Sequence, residues 1–218
     1  MPRLLRPALI GLGLLGSALC SAQSFTSGFY GGFELGQARI NDNSAVLQQS
    51  LVSDLGGSAS VNQDTSKLNY RLLAGYKLTE NVDLEAGYSQ SDAFGIPFSG
   101  RSGGNVSYTG SGSVKVHGLD YGVVLRPNVS SGWNPLFLRL GGTHYTAALD
   151  VSATAGAQSA SLSDSASGSG TLLGVGYDFV NVWPQVDVRA SYTQLNKIAG
   201  GSSDSKASVY GVSLIKRF

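Results

Sequence analysis

The sequence predicts an all-β chain: an eight-stranded antiparallel β-barrel of the outer-membrane type, with short turns at one end and long loops at the other. Three observations predict it. Eight separated segments alternate with period two. In each, aliphatic and aromatic residues share one face, while charges and glycines share the other. An export leader stands at the N-terminus, and no later stretch has 18 consecutive apolar residues, so no helix is expected to span a membrane.

Composition narrows the field first. Of 218 residues, 42% are hydrophobic and only 13% charged, too few charges for a disordered tail. Glycine, at 30 residues, is about twice as frequent as usual. A net charge of +1 offers no basic field for nucleic acid.

The leader comes first in the chain. Arg3 and Arg6 form a positive start, and Pro7 to Leu19 is apolar and about 13 residues long, too short to span as a helix. Cys20-Ser21-Ala22 places small residues at −3 and −1, so cleavage is expected between Ala22 and Gln23. Lipidation of Cys20 is the rival reading, but Leu19 stands where a small residue is wanted. Residues 23–218 then form the barrel domain. With Arg3 and Arg6 removed from 15 basic residues, 13 face 14 acidic ones. The single cysteine leaves with the leader, so no disulfide, thiol nucleophile or thiolate metal site is expected.

The expected strands are Gly28–Ile40, Leu68–Leu78, Val82–Gln90, Val114–Arg126, Leu136–Tyr145, Thr171–Phe179, Gln185–Leu195 and Ser208–Phe218. Most approach the 9–11 residues that a tilted strand needs to cross a bilayer. Their apolar faces read, for example, Leu68, Tyr70, Leu72, Ala74, Tyr76 and Leu78, or Val186, Val188, Ala190 and Tyr192. The opposite faces carry Glu34, Arg71, Lys77, Asp83, Glu85, Asp120, Arg126, Arg139, Asp178, Asp187, Arg189 and Arg217, six acids and six bases, interleaved with glycine. A soluble sandwich or lipocalin-like barrel would bury the apolar face; a membrane barrel turns it outward to lipid. Glycine beside long charged side chains suits a crowded lumen. Aromatic residues near both strand ends favour lipid too, with Phe29, Tyr76, Phe179 and Phe218 at one end and Tyr70, Tyr88, Tyr192 and Tyr210 at the other.

The connections alternate. Thr79–Asn81, Pro127–Gly132 and Val180–Pro184 are short, as periplasmic turns are; Asn41–Lys67, Ser91–Ser113, Thr146–Gly170 and Asn196–Lys206 are longer. Within the first long loop, Leu47, Leu51 and Leu55 recur at i, i+4 with Gly56 behind, which predicts a helix over Ser44–Leu55. Between Ala147 and Ser169, 16 of 23 residues are Ser, Ala or Gly. This reads as a solvated spacer, or as an extension of two strands around Ala155-Gly156.

These residues resemble the N-terminal barrel of the outer-membrane protein A (OmpA) family. Phe29-Tyr30-Gly31-Gly32-Phe33-Glu34-Leu35-Gly36 is similar to its first strand, and Tyr70–Leu78, Asn81 and Leu84–Tyr88 to its second and third. Leu138–Gly142 and Gly174–Tyr177 resemble its fifth and sixth. Tyr210, Val212, Leu214 and the terminal Phe218 resemble the signal read by the barrel-assembly machinery, with Lys216 a departure. The resemblance implies a bacterial outer-membrane location, periplasmic chaperones during biogenesis, and surrounding outer-membrane lipid and lipopolysaccharide. The family's peptidoglycan-binding domain is expected to be absent. Arg71, Glu85, Arg139 and Arg189 suit the family's lumen ion pairs, whereas Val124 and Gly176 replace expected charges.

Function follows from the expected interior. Eight strands enclose a space that side chains fill. Balanced charges should pair and leave no water path, giving a monomeric surface anchor whose external loops make contacts. A narrow channel or carrier of small apolar molecules is the alternative. A lipid-modifying enzyme is the third reading. It would have to use His117 or His144, the latter sharing a strand face with Thr146 and Asp150. No cofactor, nucleotide motif or metal cluster is expected, and nothing is spaced for calcium.

Overall fold

The computed structural model describes residues 28–127, 135–200 and 205–218. The expected leader and its Ala22–Gln23 cleavage point lie outside them, as do most of Pro127–Gly132 and part of Asn196–Lys206. Ten strands follow in order: β1 (Phe29–Ile40), β2 (Ser58–Val61), β3 (Ser66–Lys77), β4 (Val82–Ser91), β5 (Phe94–Arg101), β6 (Ser107–Leu125), β7 (Leu136–Ala155), β8 (Gln158–Trp183), β9 (Val186–Asn196) and β10 (Lys206–Arg217). Helix α1 (Ser44–Leu55) lies between β1 and β2. Eight strands pair in the ring order β1-β3-β4-β6-β7-β8-β9-β10, and β10 returns to β1. Every pairing is antiparallel.

The period-two pattern decides which face each residue takes, because successive side chains point to opposite sides of a strand. Phe33, Leu35, Leu72, Leu84, Leu119, Tyr121, Val175, Val212 and Leu214 are exposed on the outer wall. Register lines them up in rows, with Leu72 and Leu214 both opposite Phe33. An unbroken apolar wall of this kind is at rest only against hydrocarbon. Aromatic pairs bracket it, with Phe29 and Tyr76 at 4.6 Å between centroids near one rim and Tyr192 and Tyr210 at 5.0 Å toward the other.

The strand calculus from alternation falls short at one end. β6 begins at Ser107 rather than Val114, β7 runs to Ala155 rather than Tyr145, and β8 spans Gln158–Trp183 rather than Thr171–Phe179. Two strands, β2 and β5, arise inside segments expected to be loops; β5 pairs with the outer half of β6, and β2 pairs with β5. No face of these outer segments meets hydrocarbon, so no long apolar row marks them in the sequence, and the alternating Phe94, Ile96 and Phe98 of β5 make only a short one. The Ser/Ala/Gly tract therefore extends β7 and β8 as a hairpin, turning at Gly156-Ala157. Together these segments form a sheet that continues past the ring for roughly 30 Å along the strand, at about 3.3 Å per residue over the ten β7 residues after Tyr145. At the other end, β8 continues through the expected Val180–Pro184 turn as far as Trp183, with a register shift between Phe179 and Trp183.

Helix α1 occupies the expected span, and the Gly56 N–H donates to the Val52 carbonyl at its end. The helix buries none of its residues, so the leucine spacing does not seat it on a core. Gly156 has φ +60°, the sign that a two-residue hairpin turn with glycine at its first central position requires. Gly156→Ala is expected to cost about 1–2 kcal/mol locally. Amide exchange should quicken at the hairpin tip while the ring's thermal unfolding stays unchanged.

The barrel lumen as candidate functional site

The inward parity of the ring strands brings the predicted charges together. Arg71 (β3) donates to Asp120 (β6) at 2.7 Å and to Glu85 (β4) at 3.0 Å. Arg139 (β7) contacts the same two acids, lying 3.3 Å from Glu85 and in direct ion contact with Asp120. Arg189 (β9) donates to Glu85 at 2.6 Å and to Asp178 (β8) at 2.7 Å. Arg126 closes the chain between Asp178, at 2.9 Å, and Asp83. Four arginines and four carboxylates thus form one continuous, charge-balanced network across the lumen. Each carboxylate oxygen offered to a guanidinium replaces water that the closed interior excludes, which is what makes burying these ions tolerable.

Hydroxyls complete the acids. Tyr30 donates to Glu85 at 3.1 Å and Ser89 to Asp120 at 3.3 Å. Four glycines lie directly beneath long lumen side chains: Gly75 under Tyr30, Gly87 under Arg71, Gly176 under Phe137 and Gly211 under Glu34. Val124, at a position expected to be charged, is fully buried, and the ring of Phe137 packs 4.5 Å from the Arg189 guanidinium above Gly176. An aromatic face thus attracts the cation where the family pattern would place another charge.

The other predicted lumen charges separate from this network. Glu34 is buried but accepts from two hydroxyls, Ser213 at 2.9 Å and Ser191 at 3.2 Å, rather than from a cation. Arg217 and Asp187 form their own pair at the rim near the C-terminus, with the Arg217 side chain half exposed. Lys77 is exposed at the end of β3 and lies outside the network, because that strand ends at the rim. In the segment expected to carry the assembly signal, Tyr210, Val212, Leu214 and Phe218 all face outward, and the Phe218 N–H donates to the Phe29 carbonyl at 3.1 Å.

The expectation of a polar lumen throughout is corrected in its outer part. Above the ions, Ala38, Tyr145, Leu172, Leu195, Ala207 and Val209 turn inward and pack around Phe94, which is 1% exposed. Phe94 opens β5 and reaches in from a segment read as loop. The inward parity of Leu172, Leu195 and Val209 was the available signal, since these residues interrupt an otherwise polar face near the outer rim. Between the apolar cap and the ions lies a cavity of about 40 Å³, bordered by Asn69, Ser89 and Thr193.

Of the candidate enzyme residues, register sets His117 (β6) opposite Thr146 (β7), with His144 diagonal to it on the same outward face, while Asp150 stands apart. His144, Thr146 and Asp150 all lie on β7, where six residues separate His144 from Asp150 by about 20 Å of strand. His144 Nδ1 lies 3.2 Å from Ser169 Oγ, Thr146 pairs with Ser167, and Asp150 accepts from Ser163. Among the described residues, no carboxylate bonds to the His144 ring.

The sequence from residue 8 to 218 matches the outer membrane protein beta-barrel domain. The chain belongs to this outer-membrane β-barrel family. Membership places the barrel in the bacterial outer membrane, and in this family the apolar wall is the lipid-facing surface. No curated protein matches the sequence. Solved structures similar to this barrel include Ail, the attachment invasion locus protein of Yersinia pestis, in complex with the heparin analogue sucrose octasulfate. It is 15% identical, with 87% of this chain and 99% of that chain covered and a TM-score of 0.49. Neisserial surface protein A is 17% identical over 87% of this chain and 97% of its own, with a TM-score of 0.40. OprG from Pseudomonas aeruginosa is 9% identical over 88% and 98%, with a TM-score of 0.39.

Proposed function

We propose that this outer-membrane β-barrel is an anchor that presents an external sheet at the cell surface, and neither a conduit nor an enzyme. The observation that carries the reading is the closed lumen. The eight-member ion network spans it, and the Phe94 cap seals its outer part. An ion entering would have to break several charge-assisted contacts at once, with no solvated path to replace them. The carrier alternative needs a pocket of roughly 300–1,000 Å³ for a drug-sized molecule. The lumen cavity of about 40 Å³ has room for only a few waters. What remains available for contacts is the sheet of β2, β5 and the outer halves of β6, β7 and β8, together with α1, whose residues are all at least partly exposed. Chaperones, the assembly machinery and a monomeric state belong to the same reading.

Single-channel recording on refolded residues 23–218 in a planar bilayer tests it. Folded, inserted protein is expected to be electrically silent. Steady discrete openings would instead establish a water path through the charges and favour the channel. Expressing the protein should leave lipid A mass spectra unchanged; a new lipid A species would restore the enzyme reading.

A further inference from the structure

Two hollows on the outer wall meet at Tyr210. The upper one, about 510 Å³, lies at the outer ends of β1, β9 and β10 and is lined by Arg39, Asp42, Gln194, Lys206 and Ser208. The lower one, about 710 Å³, is almost wholly apolar; it runs past Leu35, Val175, Ala190, Tyr192 and Val212 over a floor of Gly176 and Gly211. Ala190 opens this lower groove. It stands opposite Tyr177 on one side and Val212 on the other, and its methyl group leaves a gap between larger neighbours.

Register fixes the cations. Arg39 lies opposite Ser208, and Lys206 is two residues farther along β10 on the same face. Such diagonal neighbours stand about 7–8 Å apart, a span that two long side chains can close upon one tetrahedral anion. Both are exposed, and neither forms an ion pair among the described residues. Two cations at the opposite rim are already engaged, Arg217 with Asp187 and Lys216 with the Gln185 side chain at 2.8 Å. Asp42, the one acid in the cleft, already accepts the Ser44 N–H at 2.9 Å. Height on the wall matters as well. The Ser208 hydroxyl lies 3.2 Å from the Tyr192 hydroxyl, whose ring packs on Tyr210 in the outer aromatic girdle. Arg39 therefore stands about one same-face step above the girdle and Lys206 about two, at headgroup level.

We propose that this wall is a binding site for one lipopolysaccharide molecule: Arg39 and Lys206 clamp a lipid A phosphate, Gln194 and Ser208 supply further hydrogen bonds, and an acyl chain lies in the groove over Ala190. The stacked cleft and groove match a phosphate joined to hydrocarbon, which a free anion does not. The site rests on the outer-membrane placement and not on what the external sheet contacts.

Native mass spectrometry of the refolded chain in detergent, titrated with bisphosphorylated lipid A, tests the proposal. The wild-type chain is expected to retain one lipid A, and R39Q/K206Q to bind roughly tenfold or more weakly. Ala190→Trp fills the groove while leaving both cations in place and should weaken binding as well. All three side chains are on the outer wall, so gel mobility before and after heating should show that each variant folds. Equal binding by wild type and R39Q/K206Q would overturn the site. So would equal retention of dephosphorylated lipid A, or displacement of lipid A by millimolar inorganic phosphate, which would mark a free-anion site instead.

Discussion

Glu85→Ala is expected to destabilise the barrel by about 3–5 kcal/mol, the usual cost of removing one partner from a buried ion pair. Glu85 receives Arg71, Arg139 and Arg189 from three different strands, and Tyr30 from a fourth. Without it, four positive charges face three remaining carboxylates in a space closed to water. Arg71 and Arg139 keep Asp120, but Arg189 would have to share Asp178 with Arg126. Urea unfolding of the refolded protein in lipid vesicles, followed by gel mobility, measures the loss. A drop below about 1 kcal/mol would mean that water already reaches these charges. The same variant should also raise bilayer conductance if it stays folded, since the network is then open at its centre.

Gly75→Val is expected to be nearly as severe. Tyr30 and Gly75 are register partners on β1 and β3, and the Tyr30 ring lies over the Gly75 Cα where a side chain would stand. A valine forces that ring aside and breaks its hydrogen bond to Glu85, so overpacking and a lost buried contact combine to about 3 kcal/mol. Steric conflict predicts non-additivity. Tyr30→Ala alone should destabilise, yet it should recover much of the stability of Gly75→Val in the double variant. Strict additivity of the two substitutions would show that the ring does not need this gap.

These predictions depend on contacts that the sequence only partly announces. Alternation assigns Arg71, Glu85, Asp120, Arg139 and Arg189 to one face, and balanced charge on a narrow interior calls for pairing. Alternation carries no information on partners. Arg71, Asp120 and Arg139 meet because register sets β3, β6 and β7 at one height around the ring, whereas Glu34, on the same face, ends among serines. Phe94 is the clearest omission. It lies in a segment read as loop, where Phe94, Ile96 and Phe98 alternate over too short a run to mark a membrane-crossing strand, and it gains its position from the pairing of β5 with β6.

The split has a physical origin. Residue order alone determines the eight membrane-crossing segments, the lipid-facing rows and the helix at Ser44–Leu55, because each depends on local spacing between apolar and polar groups. Alternation has contrast only where one face meets hydrocarbon and the other a polar interior. Beyond the membrane no face of β6, β7 and β8 meets hydrocarbon, so their length depends on hairpin hydrogen bonds that serine, alanine and glycine do not advertise. Ring closure alone decides that the outer lumen is apolar, that Phe94 seals it, and that Arg39 and Lys206 share one cleft, since each joins residues far apart in the chain through strand register.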